Sequence, residues 1–195
     1  MKAPAQKLPI GPADFAQLLD EHHLVVLDED ATRRAAFAHC LAEQLETIPD
    51  TEVIDLDGGR ITTFDSFCRQ IDLAFHSTRP LRRSLEALVR RLRDSARGSK
   101  HQYFIWREAD GLIEHDPELF GCLANAFFAV AADREYVSPD VLVLQRLVLL
   151  GGESLGRYAQ NEDGQLRTWL LNHDAAPVRE VAAFMDRPPV LVYRM

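Results

Sequence analysis

HLVVLDED, His23–Asp30, decides how this chain is to be folded: the apolar residues Leu24–Leu27 run without interruption and stop at three consecutive acids, Asp28, Glu29 and Asp30. A strand with one wet face alternates apolar and polar side chains. An unbroken apolar run of this length instead fits a strand covered on both faces, as parallel strands in α/β proteins are. Asp30 suits the N-cap of a following helix, because Phe37, Cys40, Leu41 and Leu45 recur at i, i+3, i+4 and i+8. Strand, charged turn and helix make one βα unit, with His22–His23 marking the passage from the preceding helix.

The same grammar extends in both directions. Upstream, Pro12 to Glu21 reads as a short helix with Phe15, Leu18 and Leu19 on one side. Downstream, TEVIDLDGG is a strand ending in the Gly58–Gly59 turn, and Thr62 or Thr63 caps a helix striped with Phe64, Phe67, Ile71 and Phe75. An arginine-rich helix follows Pro80. HQYFIW is a third strand, followed by a polar turn and the helix PELFGCLANAFFAVAADREY, where Pro117 fits the first turn and Leu119, Leu123, Phe127 and Val130 mark a core stripe. In SPDVLVLQRLVLLGG, residues 139–146 are open between a short helix and a strand beginning at Val141; either way a strand ends at Gly151–Gly152. ESLGRYAQ and GQLRTWLLN read as helices and PPVLVYRM as a last strand. The expectation is one α/β domain over residues 1–195, a three-layer sandwich with a mostly parallel five-stranded sheet, residues 1–11 forming a mobile N-terminal segment.

Composition narrows the function. At 195 residues, 47% hydrophobic and 27% charged, the chain is globular, and it lacks both an apolar run of membrane-spanning length and an apolar leader. Cys40, Cys68 and Cys122 are odd in number, far apart and set among apolar residues, so they read as reduced core thiols of a cytoplasmic protein. A net charge of −8 argues against general nucleic-acid binding, which needs excess lysine and arginine. RPLRRSLEALVRRLRDSAR gathers seven arginines, but on a helix with an apolar stripe they read as a solvated basic face.

The order of elements over residues 12–195 resembles the core of the P-loop NTPases, the AAA-type ATPases in particular. The resemblance implies that a fourth strand is inserted between the first and third. It also implies a glycine-rich phosphate loop after the first strand, ending in Lys and Ser or Thr. Laid on LDEDATRR, that pattern puts Leu27 and Thr32 at the glycines and Arg33 and Arg34 at the lysine and hydroxyl positions, with three acids where a triphosphate would rest. After the third strand such enzymes carry an Asp that serves magnesium and often a catalytic Glu. YFIWREAD, Tyr103–Asp110, has Arg107 in place of the Asp and Glu108 in place of the Glu. Both departures point to a degenerate, non-hydrolysing relative that uses no cofactor and no metal. Its function is that of an interaction or scaffold module for a protein partner, with Arg33, Arg34, Arg107, Glu108 and Asp110 as candidate ligand-binding residues and no catalytic residue.

Other readings stand beside it. Residues 52–150 resemble in order the barstar family of ribonuclease inhibitors, which implies an acidic surface for a basic nuclease. A nucleotide-dependent enzyme with an atypical site is a further alternative. Arg107 could simply pair with a nearby carboxylate, Asp28–Asp30 could hold a cation or form a solvated helix start, and LLGGES offers amides that could hold an anion.

Overall fold

A computed structural model describes residues 12–95, 99–137, 144–160 and 190–195. Helix α1 (Pro12–Glu21) leads into β1 (His23–Leu27), and α2 (Ala31–Glu46) into β2 (Thr51–Asp57). A single 3-10 turn at Gly58–Arg60 precedes α3 (Phe64–Ala74) and α4 (Leu85–Ser95), and then come β3 (His101–Arg107), α5 (Asp110–His115) and α6 (Pro117–Val137). The chain closes with β4 (Leu144–Gly151), α7 (Glu153–Gln160) and β5 (Val190–Arg194).

β1 is buried at every position, as its unbroken apolar run requires, and its side chains divide between two cores. Val25 and Leu27 pack with Ile54, Leu56, Phe104, Trp106 and Leu149 beneath residues of α3–α7, while Leu24 and Val26 pack with Tyr103, Ile105, Val148 and Leu150 beneath α1 and α2. The sheet is thus the middle of three layers, and each large apolar side chain so buried is worth roughly 1.5–3 kcal/mol. His23 is also buried, and burial together with nearby Arg146 pushes its imidazole well below the usual histidine range. The neutral ring accepts a hydrogen bond at Nδ1 from the Leu147 amide, 2.9 Å away. Arg146 of β4 donates to the carbonyls of Leu19 and Asp20, both at 2.8 Å, and so satisfies the end of α1.

The strand order is β2-β3-β4-β1-β5. β4 lies between β1 and β3, paired to both, as the P-loop resemblance implies. The expected mostly parallel five-stranded sheet is corrected. Every pairing is parallel, and the body of the sheet is the four strands β2-β3-β4-β1; Val190–Arg194 lies along the outer edge of β1, beyond residues that are not described. The alternation of strands and helices could not distinguish wholly from mostly parallel wiring, nor a strand of the body from one at its margin.

Other local expectations resolve individually. Asp30 caps α2, and Thr63 rather than Thr62 caps α3, in a reciprocal box with Ser66. Leu144–Arg146 belong to a strand, not to the end of a helix, while residues 138–143, the stretch GQLRTWLLN and residues 1–11 lie outside the described set. The cysteines are free but not all in the core: Cys68 is buried, whereas Cys40 and Cys122 are exposed. On α2 the buried stripe is Arg34, Ala38, Leu41 and Leu45, which turns Cys40 outward. Among the described residues no helix is long and apolar enough to cross a membrane.

Gly58 sets how closely the turn after β2 approaches the end of β3. A Cβ built there would overlap the Arg107 carbonyl oxygen and lie 2.6 Å from that of Glu108, both backbone atoms that cannot yield without parting the strand ends. Gly58→Ala should therefore cost about 3 kcal/mol in denaturant unfolding. Gly59→Ala, whose Cβ would meet only the Asp57 side chain at 3.3 Å, should cost under about 1 kcal/mol.

Candidate functional site

The carboxyl ends of β1, β3 and β4 carry the polar chemistry. β1 stops at Asp28, whose side chain is only 1% exposed. Its Oδ1 accepts from the Asp30 amide at 2.8 Å and from Arg33 Nη2 at 2.9 Å. Asp30 faces the other way: its Oδ1 accepts from the Thr32 and Arg33 amides at 2.8 and 3.3 Å, and these bonds hold its carboxyl below the usual range. The first amides of α2, where an anion would be favoured by the helix dipole, are thereby occupied by the chain's own carboxylate.

One turn further along α2, Arg34 reaches across the sheet end. Its Nη1 donates to the Asp28 carbonyl oxygen at 2.5 Å, and its Nε and Nη2 donate to Glu108 Oε1 and Oε2 at 3.2 and 2.5 Å. The bidentate bond to Glu108 raises the guanidinium's affinity for its proton. Glu108 follows β3 directly and has φ of +50°, a left-handed conformation that a non-glycine residue adopts at a cost of roughly 1–3 kcal/mol. The next amide, Ala109, then donates to the Leu150 carbonyl at 3.0 Å, carrying β3's exit across to β4.

Asp110, in the first turn of α5, serves another helix. Its Oδ2 accepts from the Gly152 amide at 2.6 Å and its Oδ1 from the Leu155 amide at 2.8 Å. Gly152 sits just before α7 and has no side chain to cap it, so Asp110 supplies the cap from 42 residues away. Gly151 permits the approach, since a Cβ there would lie 2.6 Å from Asp110 Oδ2. Ser154 Oγ adds a second tie between the helices by donating to Glu114 Oε1 at 2.7 Å.

The five residues singled out in the sequence thus fall into three groups. Arg33, Arg34 and Glu108 converge around Asp28. Arg107 is engaged elsewhere, donating from Nε and Nη2 to both oxygens of Asp55 on β2 at 2.8 Å, and this pairing raises its proton affinity. Asp110 is committed to α7, so the anion seat read in LLGGES holds an internal carboxylate. Asp28 is not one of those five, although its neighbour Arg34 left a signal: it lies in helical phase with Ala38, Leu41 and Leu45. Among the described residues no three His, Cys, Asp or Glu side chains form a metal-binding group. Asp28–Asp30 do not act as one cluster, being divided between a buried carboxylate paired to an exposed arginine, an exposed glutamate and a helix cap.

Three arginines of the arginine-rich segment are paired within their own surroundings. Arg83 pairs with Asp65 at 2.6 Å, Arg90 with Glu86 at 3.1 Å, and Arg91 with Asp72 at 3.4 Å while also donating to Ser77 Oγ and the Arg79 carbonyl. The apolar side of α4 buries Leu88 and Leu92.

The strand order describes an α/β fold with a parallel sheet, and the first amides of α2 and α7 are taken up by internal carboxylates. No protein-family model matches the sequence, and no curated protein matches it. A solved structure of the Aeropyrum pernix ORC2 protein, in ADPNP–ADP complexes, matches with a TM-score of 0.56 at 10% sequence identity. The match covers 83% of this chain and 46% of that one, so the likeness is one of fold alone and spans less than half of that protein.

Asp110→Asn retains the shape of the side chain but replaces one carboxylate oxygen with a donor. It should destabilise the protein by about 1–2 kcal/mol. Amide hydrogen exchange should quicken at Gly152 and Leu155 while the Asp30-capped Thr32 amide keeps its wild-type rate; uniform acceleration, or none, would remove Asp110 from the role of cap.

Proposed function

We propose that this chain is a non-catalytic interaction or scaffold module built on a degenerate P-loop NTPase-like fold. The observation that carries the reading is the occupation of the helix starts that follow β1 and β4: Asp30 sits on the α2 amides and Asp110 on the α7 amides. A triphosphate brought to the β1–α2 turn would have to displace a bound carboxylate and lie against Asp28, with no freed lysine or hydroxyl to compensate. Glu108, at the position of a water-activating acid, is held by Arg34 in two hydrogen bonds and has no neighbouring magnesium-binding aspartate.

The span of the barstar resemblance covers only part of the folded sheet. β1 lies outside residues 52–150, yet it is hydrogen-bonded on both sides within the sheet and belongs to the same folded unit.

Thermal unfolding with Mg–ATP and Mg–GTP is the deciding experiment. A ligand present at 100 times its Kd stabilises by about 2.7 kcal/mol. For a chain of this size that corresponds to roughly 5–10 °C in Tm. The proposal expects a shift within about 1 °C at millimolar nucleotide and no phosphate release. A rise of several degrees accompanied by hydrolysis that Glu108→Gln abolishes would replace it with the enzyme reading.

A further inference from the structure

Basic charge is gathered in one part of the chain. Residues 64–95 hold seven of the 22 lysines and arginines but only four of the 30 acids, a balance of +3 within a net charge of −8, so the remainder carries −11. This segment folds as α3, a return over residues 75–84, and α4. Asp72, near the end of α3, accepts from the Leu81 amide at 2.8 Å and pairs with Arg91 of α4 at 3.4 Å. Arg91 in turn donates to the Ser77 hydroxyl and, at 2.8 Å, to the Arg79 carbonyl. At the other end Arg83 reaches Asp65 in the first turn of α3, at 2.6 Å. The return therefore runs back alongside α3, pinned at both ends, with the Leu81 side chain in the core.

Outside the pins stands a surface of unpaired cations. Arg69, Arg79 and Arg82 are exposed and, among the described residues, form no ion pair. Arg69 lies one helical turn from Asp65 and one turn from Leu73, so arginine and leucine share a stripe of α3. Leu73 is a second and chemically different observation. At 65% exposure it is the most exposed large apolar side chain among the described residues, and Leu85, at 41%, belongs to the same segment. A surface leucine alone decides nothing. Set among unpaired arginines on a support that is already ordered, it makes an amphipathic contact surface on which binding costs little conformational entropy.

We propose that this surface docks a carboxylate-rich segment of a partner protein, its acids meeting Arg69, Arg79 and Arg82 and an apolar side chain covering Leu73. Charge selects an acidic occupant. Leu73 selects protein over nucleic acid, because a phosphate backbone offers it nothing to pack against. Dimensions agree: the 11 residues of α3 span roughly 16 Å, under half of a DNA turn of about 35 Å. A duplex overrunning the patch would face the net negative remainder of the chain. The assignment rests on the non-catalytic reading above and adds the chemistry of its partner.

The test is an NMR titration of the ¹⁵N-labelled full chain with a capped peptide of alternating glutamate and glycine around one central leucine. Versions carrying glutamine for glutamate, or glycine for leucine, are titrated beside it. The acidic peptide should shift the amides of Arg69–Leu73 and Leu81–Arg83 selectively, with affinity falling as salt is raised. The glutamine peptide should not bind, and loss of the leucine should weaken binding about threefold or more. Arg69→Gln/Arg79→Gln/Arg82→Gln, which removes only exposed, unpaired cations, should lower affinity about tenfold or more, while Arg157→Gln on α7 should leave it unchanged. Equal binding of the glutamate and glutamine peptides, shifts centred elsewhere, unchanged affinity in the triple variant, tighter binding of a short DNA duplex, or no binding would each overturn the assignment. So would self-association of the chain alone that the triple variant abolishes in sedimentation, which would give the surface to a second copy. Mg–ATP in place of peptide separates the two claims. ATP shifts at the β1–α2 turn would overturn the non-catalytic reading itself, whereas silence from both ATP and peptide would overturn the docking assignment alone.

Discussion

The carboxyl end of the sheet depends on one buried cation. Arg34 is anchored on α2 with its side chain 9% exposed, and it joins the end of β1, through the Asp28 carbonyl, to the end of β3, through Glu108. β4 passes between those two strands, so the guanidinium reaches from the exit of one strand to that of the next but one. A buried guanidinium is expensive unless its donors are matched, and here three of its nitrogens meet oxygen acceptors. The pairing also explains why Glu108 is tolerated in a left-handed conformation, because two charge-assisted bonds hold the side chain on the far side of the strained turn.

The remaining polar contacts at this end follow the same pattern of chain closing upon chain. Asp30 caps α2, Asp110 caps α7, and Arg107 clasps Asp55 across the edge of the sheet. Free helix-start amides and unpaired cations are groups that attract phosphate. Here the α2 and α7 amides and Arg107 are spent within the fold.

Features written locally were legible in the sequence. The unbroken Leu24–Leu27 run announced a strand covered on both faces, Asp30 announced its helix, and the apolar positions of α6 announced core. Features that depend on distant partners were not. The Arg34–Glu108 pair spans 74 positions, and Asp110 looked like a strand-end acid because Gly152, which it caps, is far along the chain. Arg34 shows why a hydropathy stripe misleads at such places: the sequence phase was set by Phe37 and Cys40, whereas the buried phase runs through Arg34 and Ala38. Six-residue α5 was hidden in what read as a polar turn, since Asp110 and His115 bracket only two buried residues, Leu112 and Ile113.

A double-mutant cycle on Arg34→Met and Glu108→Gln, read by equilibrium denaturant unfolding, tests the central claim most directly. A pair that closes this end of the sheet should show a coupling of about 2 kcal/mol or more, with Arg34→Met alone costing at least as much. A coupling below about 0.5 kcal/mol would class the pair with exposed surface bridges and contradict the account.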